Sequence, residues 1–276
     1  MLRPAPWLGP APVAYPLTAI ISDLHGNMPA IETAVADALA RGAKRLYCLG
    51  DIVGYGAEPY QAVCFVRDRV QGAHGFEPGL CLKGNHEAAL IDADGDSDFN
   101  PKARAAIQWT AGALLDGDAK VYDWLDTLSP AALDESAMYA HGSPRDPLRE
   151  YMLPRDRQNP EKMRACFDAL AAQERLICFV GHSHVPAIYF EDGRMYRPSG
   201  TTTPLDLDLR TGNRAILNVG SVGQPRDGDP RLSYVLWDGL RPSFVRLDYD
   251  HHTAAERIRA VKELPEFLAE RLAVGR

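Results

Sequence analysis

The chain is organised around the stretch Ile20-Ile21-Ser22-Asp23-Leu24-His25-Gly26-Asn27. The apolar run over residues 17–21 predicts a strand that is buried on both faces. The strand gives way to Asp23 and His25, and Pro29 is well placed in the first turn of a following helix. A carboxylate and an imidazole therefore leave the end of one buried strand together, which is where α/β sheets bind their ligands.

Four later apolar runs also end in polar side chains. The runs cover residues 46–49, 80–83, 137–140 and 176–180, and they lead in turn to Asp51, to Asn85 and His86, to His141, and to His182 and His184. One such histidine alone would be interpreted as a core residue satisfied by a hydrogen bond. Five of the eight histidines fall at these strand ends, and core packing does not account for that coincidence.

The segments between the runs predict helices. Amphipathic patterns cover residues 29–41, 59–70, 101–115, 119–128 and 160–172, and a helical tail begins at residue 253. The strand–helix–strand order of the first part favours parallel pairing. From residue 187 to 248, short runs alternate with turn residues, which predicts hairpins in a second, mostly antiparallel layer.

Length and composition predict one large domain over residues 17–276, preceded by a Pro-rich arm over residues 1–16. The 276 residues are 46% hydrophobic, and no linker-like shift interrupts the interior. The five prolines of the arm break any secretory segment. No apolar run is long enough to span a bilayer, so we expect no membrane partner.

Cysteine usage and net charge indicate the cellular compartment and limit the classes of binding partner that we expect. The five cysteines include no Cys-x-x-Cys pair, which favours reduced thiols and a cytoplasmic location. The net charge is -7 and no Lys/Arg cluster is present, which argues against long nucleic acid as a partner. The acidic loop over residues 92–98 lacks the EF-hand pattern and is expected to be solvated. The sequence is compatible with a homo-oligomer.

The strand ends offer a set of oxygen and nitrogen donors for metal ions. The candidate ligands are Asp23, His25, Asp51, Asn85, His141, His182 and His184. Without sulfur, the set suits manganese, iron or zinc. Seven ligands are too many for one tetrahedral ion and fit two ions that share the Asp51 carboxylate. Two divalent ions beside two carboxylates leave a local positive charge that attracts phosphate.

The motifs Asp-x-His, Gly-Asp, Gly-Asn-His-Glu, His-Gly and Gly-His-x-His occur in this order between Asp23 and His184. They resemble the calcineurin-like metallophosphoesterase superfamily. The flanking residues 50–56, 141–145 and 220–226 look like its bacterial and archaeal branch of YfcE-related and diadenosine-tetraphosphatase-like enzymes. The resemblance implies an α/β fold, a four-layer αββα sandwich of two mixed β-sheets flanked by helices.

The resemblance also implies a role for each motif residue. One metal ion would be held by Asp23, His25, Asp51 and His184, and the other by Asp51, Asn85, His141 and His182. His86 would be the general acid, and Asp51 would act in catalysis through the bridge. Two ions about 3.5–4 Å apart, with manganese preferred over iron or zinc, lower the pKa of a bridging water. The hydroxide attacks phosphorus in line, and His86 protonates the leaving oxygen.

Two arginines have two open interpretations. Arg145 and Arg226 each follow a proline-containing turn near the predicted site, where a guanidinium can bind a substrate phosphate through two hydrogen bonds. Each is also next to an aspartate, Asp146 or Asp227, with which it would form a structural salt bridge.

We therefore expect a hydrolase of small phosphoesters, phosphodiesters or dinucleoside polyphosphates, with a small phosphorylated partner such as a nucleotide. A serine/threonine-type protein phosphatase is one alternative, but the tract after Val53 lacks the second aspartate and the arginine of that group. A non-catalytic scaffold is the other alternative, and the complete ligand set disfavours it. Specificity is expected from the loops over residues 89–101, 144–160 and 194–213.

Overall fold

The computed structural model describes residues 15–92, 99, 101–207 and 212–276, without the side chain of residue 102. The first fourteen residues of the predicted Pro-rich arm and most of the acidic loop lie outside the described residues, as does part of the loop over residues 194–213. Among the helices that are described, none is both long enough and apolar enough to cross a bilayer.

Short strands make up the interior of the protein. In chain order they are β1 (Thr18–Ile21), β2 (Arg45–Cys48), β3 (Glu77–Cys81), β4 (Ala131–Leu133), β5 (Met138–Ala140), β6 (Ile177–Val180), β7 (Ala187–Phe190), β8 (Met195–Tyr196), β9 (Thr202–Pro204), β10 (Ala215–Asn218), β11 (Leu232–Trp237) and β12 (Pro242–Leu247).

The helices are α1 (Met28–Ala40), α2 (Pro59–Val70), α3 (Asn85–Ile91), α4 (Pro101–Gly117), α5 (Lys120–Asp126), α6 (Pro160–Ala172), α7 (His251–Ala260) and α8 (Phe267–Glu270). Asn27 caps α1, because its side chain accepts a hydrogen bond from the N–H of Ala30 at 3.3 Å. The bounds of α2 and α6 are those predicted from the sequence, and α7 begins two residues before the predicted start. The short helix α3 was not predicted.

The strands form two mixed sheets of six strands each. The first has the order β3-β2-β1-β11-β12-β9, and the second has the order β4-β5-β6-β10-β7-β8. Strands β1, β2 and β3 are parallel, as are β5, β6 and β10, whereas the other pairs are antiparallel. Each sheet therefore contains a parallel group whose carboxyl ends share one edge.

The two sheets pack face to face, and helices cover both outer faces. Ile20 of β1 belongs to the apolar cluster between the sheets, where Phe179 and Trp237 have ring centroids 5.3 Å apart. Ile21 points to the opposite face and packs into the cluster formed with most of the helices. The outer face of the second sheet packs on α6, which contributes Phe167. This arrangement confirms the predicted four-layer sandwich.

The hairpins and the mostly antiparallel pairing predicted after residue 187 are confirmed, whereas the prediction that these strands form a second layer of their own is wrong. Strands β7 and β8 form a hairpin on the second sheet, but β10 pairs in parallel with β6. Strands β11, β12 and β9 complete the first sheet, with β11 directly beside β1. The alternating pattern predicted the strands correctly, but it carries no information about which distant strand each one pairs with.

Candidate metal centre

The loops that follow β1, β2, β3, β5 and β6 meet at one edge of the sandwich. They bring together two groups of side chains whose donor atoms lie within 4.8 Å of one another: Asp23, His25, Asp51 and His184 form one group, and Asp51, His141 and His182 form the other. All six side chains are buried. Asp51 belongs to both groups, which is the position expected of a bridging ligand.

Asp51 lies between the imidazoles of the two groups. Its Oδ2 is 3.5 Å from Nε2 of His141 and 3.9 Å from Nε2 of His25. The seventh predicted ligand, Asn85, joins the second group, because its Oδ1 is 3.1 Å from Nε2 of His141. The glycine of the Gly-Asn-His-Glu motif lets the backbone of this loop pass close to Asp51, since a Cβ on Gly84 would lie 2.1 Å from Oδ1 of Asp51.

Main-chain carbonyls orient all four imidazoles. The ring N–H groups donate from Nδ1 of His25 to Val53 at 3.0 Å, from Nδ1 of His141 to Leu49 at 2.9 Å, from Nε2 of His182 to Arg149 at 3.1 Å, and from Nδ1 of His184 to Gln224 at 2.6 Å. A ring that donates from its outer nitrogen in the neutral state keeps a lone pair on its inner nitrogen. This hydrogen-bond pattern is typical of metal-ligating histidines.

The inner nitrogens face each other in pairs. Nε2 of His25 is 3.2 Å from Nε2 of His184, and Nε2 of His141 is 3.1 Å from Nδ1 of His182. Burial, reinforced by neighbouring cationic groups, lowers the pKa of His25, His182 and His184 well below the usual value. In the pair of His25 and His184, two lone pairs then oppose each other without a proton between them, and a cation is the species that satisfies both.

The buried carboxylates of the centre also favour binding of a cation. Burial, together with the nearby Asp51 carboxylate, raises the pKa of Asp23 to about 7. Burial likewise raises the pKa of Asp51, with the carboxylate of Glu87 as the next cause. Divalent cations would reverse both effects. The donor set, the lone-pair directions and the two carboxylates therefore fit a dinuclear metal site.

Several of these side chains lie on strained backbone. Left-handed φ angles occur at Asp23 (54°), His25 (49°), Asp51 (52°), His182 (64°) and His184 (59°). Each such residue costs on the order of 1–3 kcal/mol and persists only where its surroundings hold it in place. The strain lies at the strand ends, because the chain must turn sharply there to aim its side chains at a common point.

Glu87 is a residue of the site to which the sequence assigned no role. Its carboxylate accepts four main-chain N–H groups: those of Asp51 and Gly84 at 2.8 Å on Oε2, and those of Ile52 at 2.8 Å and Val53 at 3.1 Å on Oε1. Glu87 is fully buried. It joins the loop after β2 to the start of α3 and so fixes the backbone that carries Asp51. The final glutamate of Gly-Asn-His-Glu was the available signal.

His86 lies above the metal-binding groups, with Nε2 4.0 Å from Oδ2 of Asp51. Its ring contacts His25, Tyr55 and Phe99, with centroids 4.8, 4.5 and 4.9 Å away. Among the described residues, Nδ1 of His86 has no hydrogen-bond partner. Aromatic packing, rather than a carboxylate, therefore orients this ring. Burial lowers the pKa of His86 well below the usual value, with nearby cations adding to the effect.

The structure places the two arginines in different surroundings. The guanidinium of Arg145 donates to Glu150, from Nε at 2.8 Å and from Nη2 at 2.5 Å, and Arg145 does not line the cavity above the metal-binding groups. The salt-bridge interpretation fits Arg145, although its partner is Glu150 rather than Asp146. Arg226 lines that cavity, where its Nη2 donates to Oε1 of Gln224 at 2.6 Å and its Cζ lies 5.7 Å from the ring centroid of Tyr55.

The cavity above the metal-binding groups has a volume of about 100 Å³. Phe99 and Tyr151 line it, and they come from the predicted specificity loops over residues 89–101 and 144–160. The loop over residues 194–213 contributes no described residue to it. Arg194 lines a different cavity, beside α6.

The segment over residues 220–223 supports the loop after β1. The N–H of Gly223 donates to the carbonyl of Asp23 at 2.9 Å, and that of Val222 donates to the carbonyl of Ser22 at 3.0 Å. These two N–H groups are therefore engaged within the protein and are not free for a substrate. His251 and His252 lie in the first turn of α7.

Comparisons with known proteins agree with this geometry. Residues 17–239 match the model of the calcineurin-like phosphoesterase superfamily domain. An uncharacterized protein of Methanocaldococcus jannaschii is 34% identical over 268 residues, which cover 94% of this chain and 98% of that protein.

Two solved structures are similar over nearly the whole chain. A metallophosphoesterase from Sphaerobacter thermophilus is 35% identical, with a TM-score of 0.78, and the match covers 96% of this chain and 100% of that one. A hypothetical protein from Pyrococcus horikoshii is 18% identical, with a TM-score of 0.73, and the match covers 94% of this chain and 98% of that one. The second likeness shows the fold alone.

Proposed function

Since the chain belongs to the calcineurin-like phosphoesterase superfamily, we propose that it is a dinuclear metal-dependent hydrolase of small phosphoesters and phosphodiesters, dinucleoside polyphosphates included. One observation carries this proposal: the two buried groups of donor atoms share Asp51, and their inner imidazole nitrogens face each other in pairs. In a scaffold that binds no metal, these opposed and buried nitrogen lone pairs would remain unsatisfied.

The first ion would be held by Asp23, His25, Asp51 and His184, and the second by Asp51, Asn85, His141 and His182. When bound, two such ions polarise phosphoryl oxygens and lower the pKa of a water, which supplies the nucleophile. We propose manganese, with iron and zinc as the alternatives that the oxygen and nitrogen donors allow.

Arg226 and His86 act on the substrate. Arg226 lines the cavity with a guanidinium that can donate to the phosphoryl oxygens not engaged at the metal centre. His86 is placed to deliver a proton to the leaving oxygen. Its lowered pKa keeps it neutral in the free protein, and the negative charge of an entering phosphoester favours its protonation. Proton delivery by His86 therefore depends on substrate binding.

The partner we propose is a small phosphorylated molecule in a reducing, cytoplasmic environment. The cavity of about 100 Å³ accommodates a phosphoryl group. The five cysteines are all free of disulfides, and three of them are buried.

The experiment is hydrolysis of bis(p-nitrophenyl) phosphate after chelation and addition of manganese, iron or zinc. Asp51→Asn is expected to abolish turnover, because it removes the shared anionic ligand. The matched control is Asp116→Asn, at an exposed carboxylate on α4, which should retain turnover. A wild-type protein that retains no metal and cleaves no phosphoester with any of the three ions would refute the proposal.

A further inference from the structure

A second cavity adjoins the one above the metal-binding groups. It has a volume of about 130 Å³, and the two cavities share Asn85, Phe99, Tyr151 and His182. They therefore form one groove that runs outward from the second metal-binding group.

The two halves of this groove differ in chemistry. The inner cavity is lined mainly by charged and polar groups, among them Asp51, His86 and Arg226. The outer cavity is lined by Ala88, Leu148 and the two shared aromatic rings, with Arg149 as its one cationic lining residue. A substrate with a charged phosphoryl group and an uncharged, flat substituent matches this division.

Tyr151 is held rigidly at the rim of the groove. Its ring stacks on His182 with centroids 3.8 Å apart and an interplanar angle of 16°. The residue is nevertheless 43% exposed, and among the large apolar side chains that are exposed in the described part of the chain, it is the one that lines the groove. An exposed aromatic ring whose orientation is fixed offers a stacking surface to a ligand at little cost in conformational freedom.

The outer cavity has the size of a single ring system. An engineered apolar cavity of about 150 Å³ binds benzene, and the outer cavity is of similar volume and is lined by Phe99, Tyr151 and Leu148. It lies beside Asn85 and His182, which we assign to the second ion, so a ring bound here would be attached to the phosphoryl group that reacts.

We propose that the outer cavity is a subsite for a planar aromatic ring, such as a nucleobase, and that this ring stacks against Tyr151. The substrate is then a phosphoester that carries such a ring. This inference rests on the proposed function and assigns the substrate class of the same site. Stacking of a base on an aromatic side chain strengthens binding by roughly 5- to 150-fold.

The test is calorimetric titration of the manganese-loaded protein with two phosphates, adenosine 5′-monophosphate and methyl phosphate. The wild type should bind the nucleotide at least about 5-fold more tightly, because both ligands carry the phosphate but one alone carries the ring. Tyr151→Leu should remove this preference, so that the variant binds the two ligands with affinities within about twofold of each other. Tyr151→Phe keeps the ring and should retain the preference.

A second variant acts on the cavity without changing the ring that packs on His182. Leu148→Trp fills the outer cavity, so it should weaken nucleotide binding without weakening the binding of methyl phosphate. This variant tests the ring subsite even if Tyr151→Leu loses its metal. Equal affinities in an active wild type, or a preference that survives Leu148→Trp, would overturn the ring subsite alone. A wild type without metal-dependent hydrolysis would instead overturn the proposed function.

Discussion

Replacing Glu87 by glutamine changes one buried oxygen and should weaken both the fold and the metal centre. Each carboxylate oxygen of Glu87 accepts two main-chain N–H groups. A glutamine side chain retains one accepting oxygen, while its NH₂ group faces two N–H donors with which it cannot bond. Two of the four hydrogen bonds are therefore lost, and two donors remain unpaired in a fully buried position.

The size of the effect follows from the number of lost bonds. A hydrogen bond to a charged group contributes about 1.5–3 kcal/mol, so two lost bonds correspond to about 3–6 kcal/mol. The neutral amide costs less to bury than the carboxylate, which offsets part of this loss. We expect the unfolding free energy to fall by about 3 kcal/mol, and metal affinity to fall by about 10- to 100-fold, the usual effect of losing the support of a ligand.

The assay is urea denaturation of the metal-free protein, followed by measurement of manganese affinity. The matched control is Glu256→Gln, an exposed glutamate on α7, which should change the unfolding free energy by less than about 0.5 kcal/mol. If Glu87→Gln unfolds within about 1 kcal/mol of the wild type and binds manganese normally, the four hydrogen bonds do not position Asp51, and the reasoning is refuted.

Three further predictions concern the substrate groups and the ions. Arg226→Gln should lower kcat/KM by about 10- to 100-fold because a charged hydrogen bond to phosphate is lost, whereas Arg145→Gln should change it less than about threefold in the same assay; equal losses would contradict the separation of the two arginines. His86→Gln should retain its metal and lose about 10²- to 10⁴-fold in kcat with an alkyl leaving group, and it should lose less with p-nitrophenol, which leaves without a proton; an equal loss with both leaving groups would argue against proton delivery. Manganese at about 100 times its dissociation constant should stabilise the protein by about 2.7 kcal/mol per ion. A thermal melt should show this as a rise in Tm that chelation reverses and that Asp51→Asn largely removes. A Tm that manganese does not change would contradict a metal centre.

The strand-end motifs were predictable because each is local in sequence. Asp23, Asp51 and His141 each lie within three residues of the strand that positions them. One short stretch of sequence therefore contains both the apolar run that predicts the strand and the polar side chain that follows it. The parallel order of β1 and β2 then places their loops at the same edge. The sequence therefore predicted the candidate ligands, the shared carboxylate and the resemblance that implies the sandwich.

The remaining features depend on contacts between residues far apart in the chain. Strand β11 lies beside β1, although more than two hundred residues separate them. The two arginines follow similar proline-containing turns, and only the folded structure shows Glu150 beside Arg145. The stacking of Tyr151 on His182 likewise joins two separate loops. No local pattern encodes such partners, because packing selects them after the strands have paired.

The central claim is that two metal ions share Asp51. Anomalous diffraction at the manganese edge, from crystals grown with manganese, tests it most directly. We expect two peaks about 3.5–4 Å apart, one among Asp23, His25 and His184 and the other among Asn85, His141 and His182, with the Asp51 carboxylate between them. A single peak, or peaks that do not contact Asp51, would contradict the dinuclear site.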